Sequence, residues 1–75
     1  MNGISFYRLF QWQHNVSLLV LARESNRHPY IIWDLLLGHP MRRDDAAIIL
    51  ATFNELTGTN YALDQFVIVY QEERR

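Results

Sequence analysis

Apolar residues recur along most of this chain with the period of α-helices, and the polar clusters between them mark where each helix ends. Phe6, Leu9, Phe10 and Gln13 line one face of a first helix predicted over residues 5–13, with Ser5 as its N-cap. The same stretch also alternates as Ile4, Phe6, Arg8, Phe10 and Trp12, which is the pattern of a strand, so both readings stand here. Gln13-His14-Asn15 breaks the apolar pattern, and Asn15 is expected to end the helix. Ser17 can cap a second helix over residues 18–25 by accepting from a free backbone N–H. Leu18, Leu21 and Ala22 share a face of that helix, yet Leu19 and Val20 are apolar too. A helix apolar all round is either deeply buried or covered by another chain.

His28-Pro29 opens a third helix, since proline suits the first helical position, where its missing N–H leaves nothing unpaired. That helix is predicted over residues 29–37, with Ile32, Leu35 and Leu36 inward and Gly38 as a left-handed stop. His39-Pro40 reads as a loop. The fourth helix has the clearest signal: Ala46, Ile49, Leu50, Phe53 and Leu56 as its inward stripe, and Thr57-Gly58 as its end. Asp44 and Asp45 sit in its first turn, where carboxylates complement the helix dipole. One more helical turn is expected over residues 61–65. Phe66-Val67-Ile68-Val69-Tyr70 is rich in β-formers and predicts a strand. A strand cannot stand alone, and a symmetric mate in a second chain is the simplest partner.

Composition narrows this picture. With 75 residues there is room for one domain, spanning 1–75, and dimerisation is a common remedy for so modest a core. Apolar residues make up 49% of the chain and charged residues only 20%, which excludes disorder. There is no cysteine, hence no disulfide and no thiolate metal site. The opening Met1-Asn2-Gly3-Ile4 has neither the basic segment nor the apolar run of a signal peptide, and the longest apolar run is only Ala46 to Ala51. A soluble cytoplasmic protein with no membrane association is therefore expected.

The net charge of −1 is unevenly spread. Residues 1–43 carry +3 and residues 44–75 carry −4. Such asymmetry suggests a face that can meet an anion. Every basic side chain is Arg, and Glu24 and Asp34 dilute the positive half.

The run from Leu21-Ala22 through Asn26-Arg27-His28-Pro29 to Ile32, Leu35 and Gly38 resembles the helix-turn-helix of phage-repressor and Cro-type regulators. In that family a Leu-Ala pair closes the first helix of the unit. A turn follows, then a recognition helix with Ile and Leu three apart, then a glycine. The residues here fall in register without a gap, and the likeness covers roughly residues 5–58. It implies an all-α fold, mainly: a compact helix-turn-helix bundle of four to five short helices, here with a C-terminal β-strand at 66–71 and a tail at 72–75. It also implies a homodimeric DNA-binding regulator of transcription whose third helix enters the major groove. Carried over by position, the outer face of that helix is Pro29, Tyr30, Trp33, Asp34 and Leu37, with His28 at its start. Ser17, Arg27, Arg42 and Arg43 are the phosphate-facing candidates. Three arginines on three phosphates imply that log affinity falls with log salt at a slope of roughly −2.7.

The sequence departs from the family at two places. Asn26 stands where the family often has Gly, a substitution that the left-handed conformation tolerates, and Arg27 stands where an apolar residue usually packs. Groove-reading helices usually offer Gln, Asn, Arg, Ser or Thr, whereas this one offers two aromatics, a proline and a carboxylate.

Each sharper reading has a plainer rival. Tyr30 and Trp33 suit a protein-binding hot spot as well as they suit DNA, so a partner protein on that face is the alternative to a duplex. Arg42-Arg43 can clamp phosphates, or can form a solvated pair balanced by Asp44-Asp45. His14, His28 and His39 have no metal-ligand spacing, and no cofactor is expected. Adjacent Asp44 and Asp45 do not face one another on a helix, and no nucleophile stands with a base, so no enzyme is expected.

Overall fold

In the computed structural model, residues 5–12 and 16–71 are described, the side chain of Trp12 excepted. The expectations for Gln13, His14, Asn15 and the tail at 72–75 lie outside them. Four α-helices follow one another: α1 (Phe6–Trp12), α2 (Leu18–Ser25), α3 (Pro29–Leu37) and α4 (Arg43–Thr57). A 3₁₀ turn at Leu63–Gln65 takes the place of the last helical turn expected there. No helix among the described residues is long and apolar enough to cross a membrane.

The two readings of the first segment resolve as helix. Ser5 O accepts from Leu9 N at 3.1 Å, and Phe6 and Leu9 are buried one turn apart. The other helices start and stop where their side chains allow. Ser17 Oγ accepts from Val20 N at 3.1 Å, capping α2. The stops of α2, α3 and α4 share one construction. A left-handed residue (Asn26 at φ 58°, Gly38 at 78°, Gly58 at 71°) turns the chain back. The next N–H then donates to a carbonyl five residues earlier: Arg27 to Ala22 at 2.9 Å, His39 to Asp34 at 2.9 Å and Thr59 to Asn54 at 3.0 Å. This 6→1 closure satisfies carbonyls that the helix itself leaves open.

The helices bury one another's apolar stripes. Leu21 and Ala22 of α2, Ile32, Leu35 and Leu36 of α3, and Ala46, Ile49, Leu50 and Phe53 of α4 form a single cluster with Phe6 and Leu9 of α1. α2 packs on both α3 and α4, and α1 closes the other side of α3. Leu56, expected inward, is exposed. At about 100° per residue it lies roughly 80° from the direction of Ala46, so the helix turns it off the core. Leu19 is exposed as well, so the apolar girth of α2 is not absorbed within this chain.

The C-terminal segment corrects a second expectation. Among the described residues there is no strand; residues 66–71 are extended, and Tyr70 forms a parallel bridge to Met41 of the same chain. Met41 N donates to Val69 O at 3.0 Å, and Gln71 N donates to Met41 O at 2.6 Å. A ladder cannot grow from there. Pro40 has no N–H to offer, and residue 43 already begins α4. Burial alternates along this segment: Phe66 is buried, Val67 and Val69 are exposed, and Ile68 and Tyr70 are half-buried.

Candidate nucleic-acid interface

The unit that the resemblance singles out is built as helix, left-handed turn, helix. Asn26, at φ 58° and ψ 42°, supplies the turn that a glycine would otherwise provide. Arg27 then does two things. Its N–H closes α2, and its side chain reaches across to α4, where Nε donates to Asp45 Oδ1 at 2.8 Å. Nη1 also donates to Asn26 O at 3.0 Å. The two side chains of the ion pair are only 25% and 18% exposed, so the pair is partly withdrawn from water. Arg27 therefore occupies the place where an apolar residue was expected to pack, and its charge is matched within the protein. Its side chain thus braces the turn against α4.

His28 begins α3. Its Nδ1 accepts from Tyr30 N at 3.1 Å, which requires an unprotonated Nδ1, and its ring stacks on the Tyr30 ring with centroids 4.9 Å apart. The ring stack holds Tyr30 over the first turn of the helix. Ser17, capping α2, is exposed, and its hydroxyl proton is not used in the cap. Both helix starts thus present polar side chains; at α3 Pro29 has no N–H, and the N–H groups of Tyr30 and Ile31 are taken by Nδ1 and O of His28.

Along α3, Tyr30, Asp34 and Leu37 stand at i, i+4 and i+7 on the side opposite Ile32, Leu35 and Leu36. Tyr30 is 74% and Leu37 57% exposed, and the half-buried Asp34 lies between them. Asp34 Oδ1 is 3.4 Å from Nδ1 of His39, the residue just beyond the glycine stop. An ionised carboxylate only accepts, so the imidazole is the donor in that contact. Trp33 is turned away from this column. It lines an open groove of about 390 Å³ with Tyr7, Phe10, Val16, Leu18 and Leu36, between α1 and the start of α2. Tyr30 and Trp33, read together from the sequence, therefore face different surroundings.

Arg42 and Arg43 are exposed at the start of α4. The balance expected from their neighbours takes another form, because Asp45 is engaged by Arg27. The Arg43 guanidinium lies 5.0 Å from the centroid of the Tyr70 ring, which tethers it through a cation–π contact while leaving its charge intact. Among the contacts that escaped the sequence reading are Asp45 as the partner of Arg27 and His39 as the neighbour of Asp34. The first spans 18 positions and has no sequence signal. The second follows from the glycine stop, which folds residue 39 back over the last turn. Among the described residues no three of His, Asp and Glu gather as they would around a metal ion.

Comparison with protein-family models, with curated proteins and with solved structures finds no match for this chain.

Proposed function

We propose that this chain is a small helix-turn-helix DNA-binding regulator, acting as a homodimer in the cytoplasm. One observation carries the reading: α2 and α3 are joined by the left-handed Asn26 turn, and the outer column of α3 keeps Tyr30 and Leu37 exposed with the half-buried Asp34 between them. In this reading α3 enters the major groove with that column toward base edges. The Ser17 hydroxyl, the start of α3 at His28, and Arg42 and Arg43 meet phosphates. Arg27 holds the turn. The exposed Leu19 of α2 and Val67 and Val69 of the C-terminal segment offer apolar surface for a second copy.

With Arg27 paired to Asp45, the expected salt slope is shallower than three phosphate contacts would give. Fluorescence anisotropy of labelled duplexes at low and moderate salt tests this. Binding that weakens with salt and is lost when Arg42 and Arg43 are both replaced by Gln supports the reading. Absence of binding at low salt sinks it.

The exposed aromatic Trp33 at the groove beside α1, with exposed Tyr30 and Leu37 on the neighbouring face of α3, favours a second reading, a protein-interaction or self-assembly module. That reading predicts a protein complex disrupted by Trp33→Ala and indifference to duplex DNA at every salt concentration.

A further inference from the structure

We propose that Asp34 is the specificity-determining residue of the α3 face, accepting from the exocyclic amine of a cytosine, while Tyr30 and Leu37 on either side contact thymine methyl groups. This rests on the DNA-binding reading and names the kind of duplex that the site would prefer.

The chemistry of the column limits what it can read. A carboxylate such as that of Asp34 accepts hydrogen bonds without donating any. In the major groove, guanine presents two acceptors and thymine presents an acceptor beside its methyl group, so a carboxylate is repelled by both. Adenine presents a donor with an acceptor next to it. Cytosine presents an amine donor alone, and it is the base edge that suits a carboxylate. His39 prepares the group for this. It lies 3.4 Å from Oδ1, and no hydrogen bond to Oδ2 is formed among the described residues. Leu37 has no hydrogen-bonding group, and apolar side chains in the groove contact the thymine methyl. The Tyr30 ring, held by its stack on His28, presents an apolar edge of fixed orientation. The carboxylate also weakens attraction to the phosphate backbone, so affinity for arbitrary DNA is low and discrimination depends on the base contacts.

The test is selection of bound duplexes from a random pool at low salt with the wild-type chain, Asp34→Asn and Leu37→Ala. Circular dichroism verifies that each variant is folded. Wild type is expected to enrich sites with an invariant cytosine flanked by thymines. Asparagine pairs with the donor and acceptor of adenine, so Asp34→Asn is expected to convert that cytosine to adenine while leaving the flanks unchanged. Restoring cytosine to the variant's site should then weaken its binding by roughly 5- to 150-fold. Replacing the flanking thymines by uracil removes only the methyl groups. It should cost wild type about fourfold per contacted methyl, and Leu37→Ala should be insensitive at one position. Asp34→Asn enriching the same sites as wild type, or wild type enriching no site, overturns this proposal while leaving DNA binding in place. No duplex bound by wild type at low salt overturns the DNA-binding reading together with it.

Discussion

Residues 17–58 and residues 59–71 are held in place by different physics. In the first region the helices are closed by their own neighbours: Ser17 and His28 cap the starts of α2 and α3, and three left-handed residues with 6→1 returns make the stops of α2, α3 and α4. The inward stripes then meet, leaving Leu21, Ile32, Ala46, Ile49 and Phe53 with no exposed surface. In the second region the chain's own repeating hydrogen bonds amount to one 3₁₀ turn, Gln65 N to Ala62 O and Phe66 N to Leu63 O. Asn54 holds its beginning, with Nδ2 donating to Tyr61 O at 2.9 Å and Oδ1 accepting from Tyr61 N at 3.0 Å and Thr59 Oγ1 at 2.9 Å. Phe66 anchors its middle, edge-on to Phe6 at 5.5 Å and to Tyr61 at 5.7 Å. Met41 pins its end. Local closure gives a helix a conformation before it finds a partner, whereas an extended segment takes the conformation that its partners impose.

Phe53→Ala should show the largest effect. It removes a fully buried ring that meets Phe6 edge-on at 5.2 Å, and truncations of this kind cost about 3–5 kcal/mol. Chemical denaturation should show all helices lost in one transition at a lower midpoint. Phe66→Ala should cost less, about 3 kcal/mol at most, because a peripheral segment can relax into the space left behind. Its signature is local: hydrogen exchange at the Met41 and Gln71 amides should accelerate while the α4 amides stay protected. Equal acceleration throughout would mean that the two regions form one cooperative unit.

Asp45→Asn sharpens the contrast by acting on the brace. Loss of a charge-assisted hydrogen bond in a partly buried pair should lower stability by about 1.5–3 kcal/mol. Under the DNA-binding reading it also releases the charge of Arg27 and should steepen the salt slope by roughly 0.9 per protomer. Stability and slope are measured separately, so a structural effect cannot stand in for an electrostatic one. The smallest effect is expected at the turn. Asn26→Ala forces a left-handed alanine and should cost about 1–2 kcal/mol, whereas Asn26→Gly should stay within a few tenths. Thermal melts of the two variants decide it; equal losses would show that the Asn side chain, and not its backbone conformation, matters at this position.

The helices were legible because their signals are local. Ser17, Pro29, Asn26, Gly38 and Gly58 each act within one turn of their own position, and the bounds of α2 and α3 fall at the residues predicted. The stripe of α4 was legible up to Phe53 and failed at Leu56, where simple spacing drifts off the inward direction. The outer face of α3 was legible as a roster of exposed residues, but not as an arrangement. Trp33 belongs to the groove beside α1, and Asp34 has His39 for a neighbour.

The order of residues by itself determined where this chain is helical, where each helix turns back and which face of each goes inward, because caps, left-handed stops and a 3.6-residue period act over a few positions. Tertiary structure alone decided three further things: that Arg27 is answered by Asp45, that Tyr30 and Trp33 part company on α3, and that Tyr70 bridges to Met41 of its own chain. Each of these depends on which distant side chain arrives within a few ångströms, and a local pattern carries no information about that.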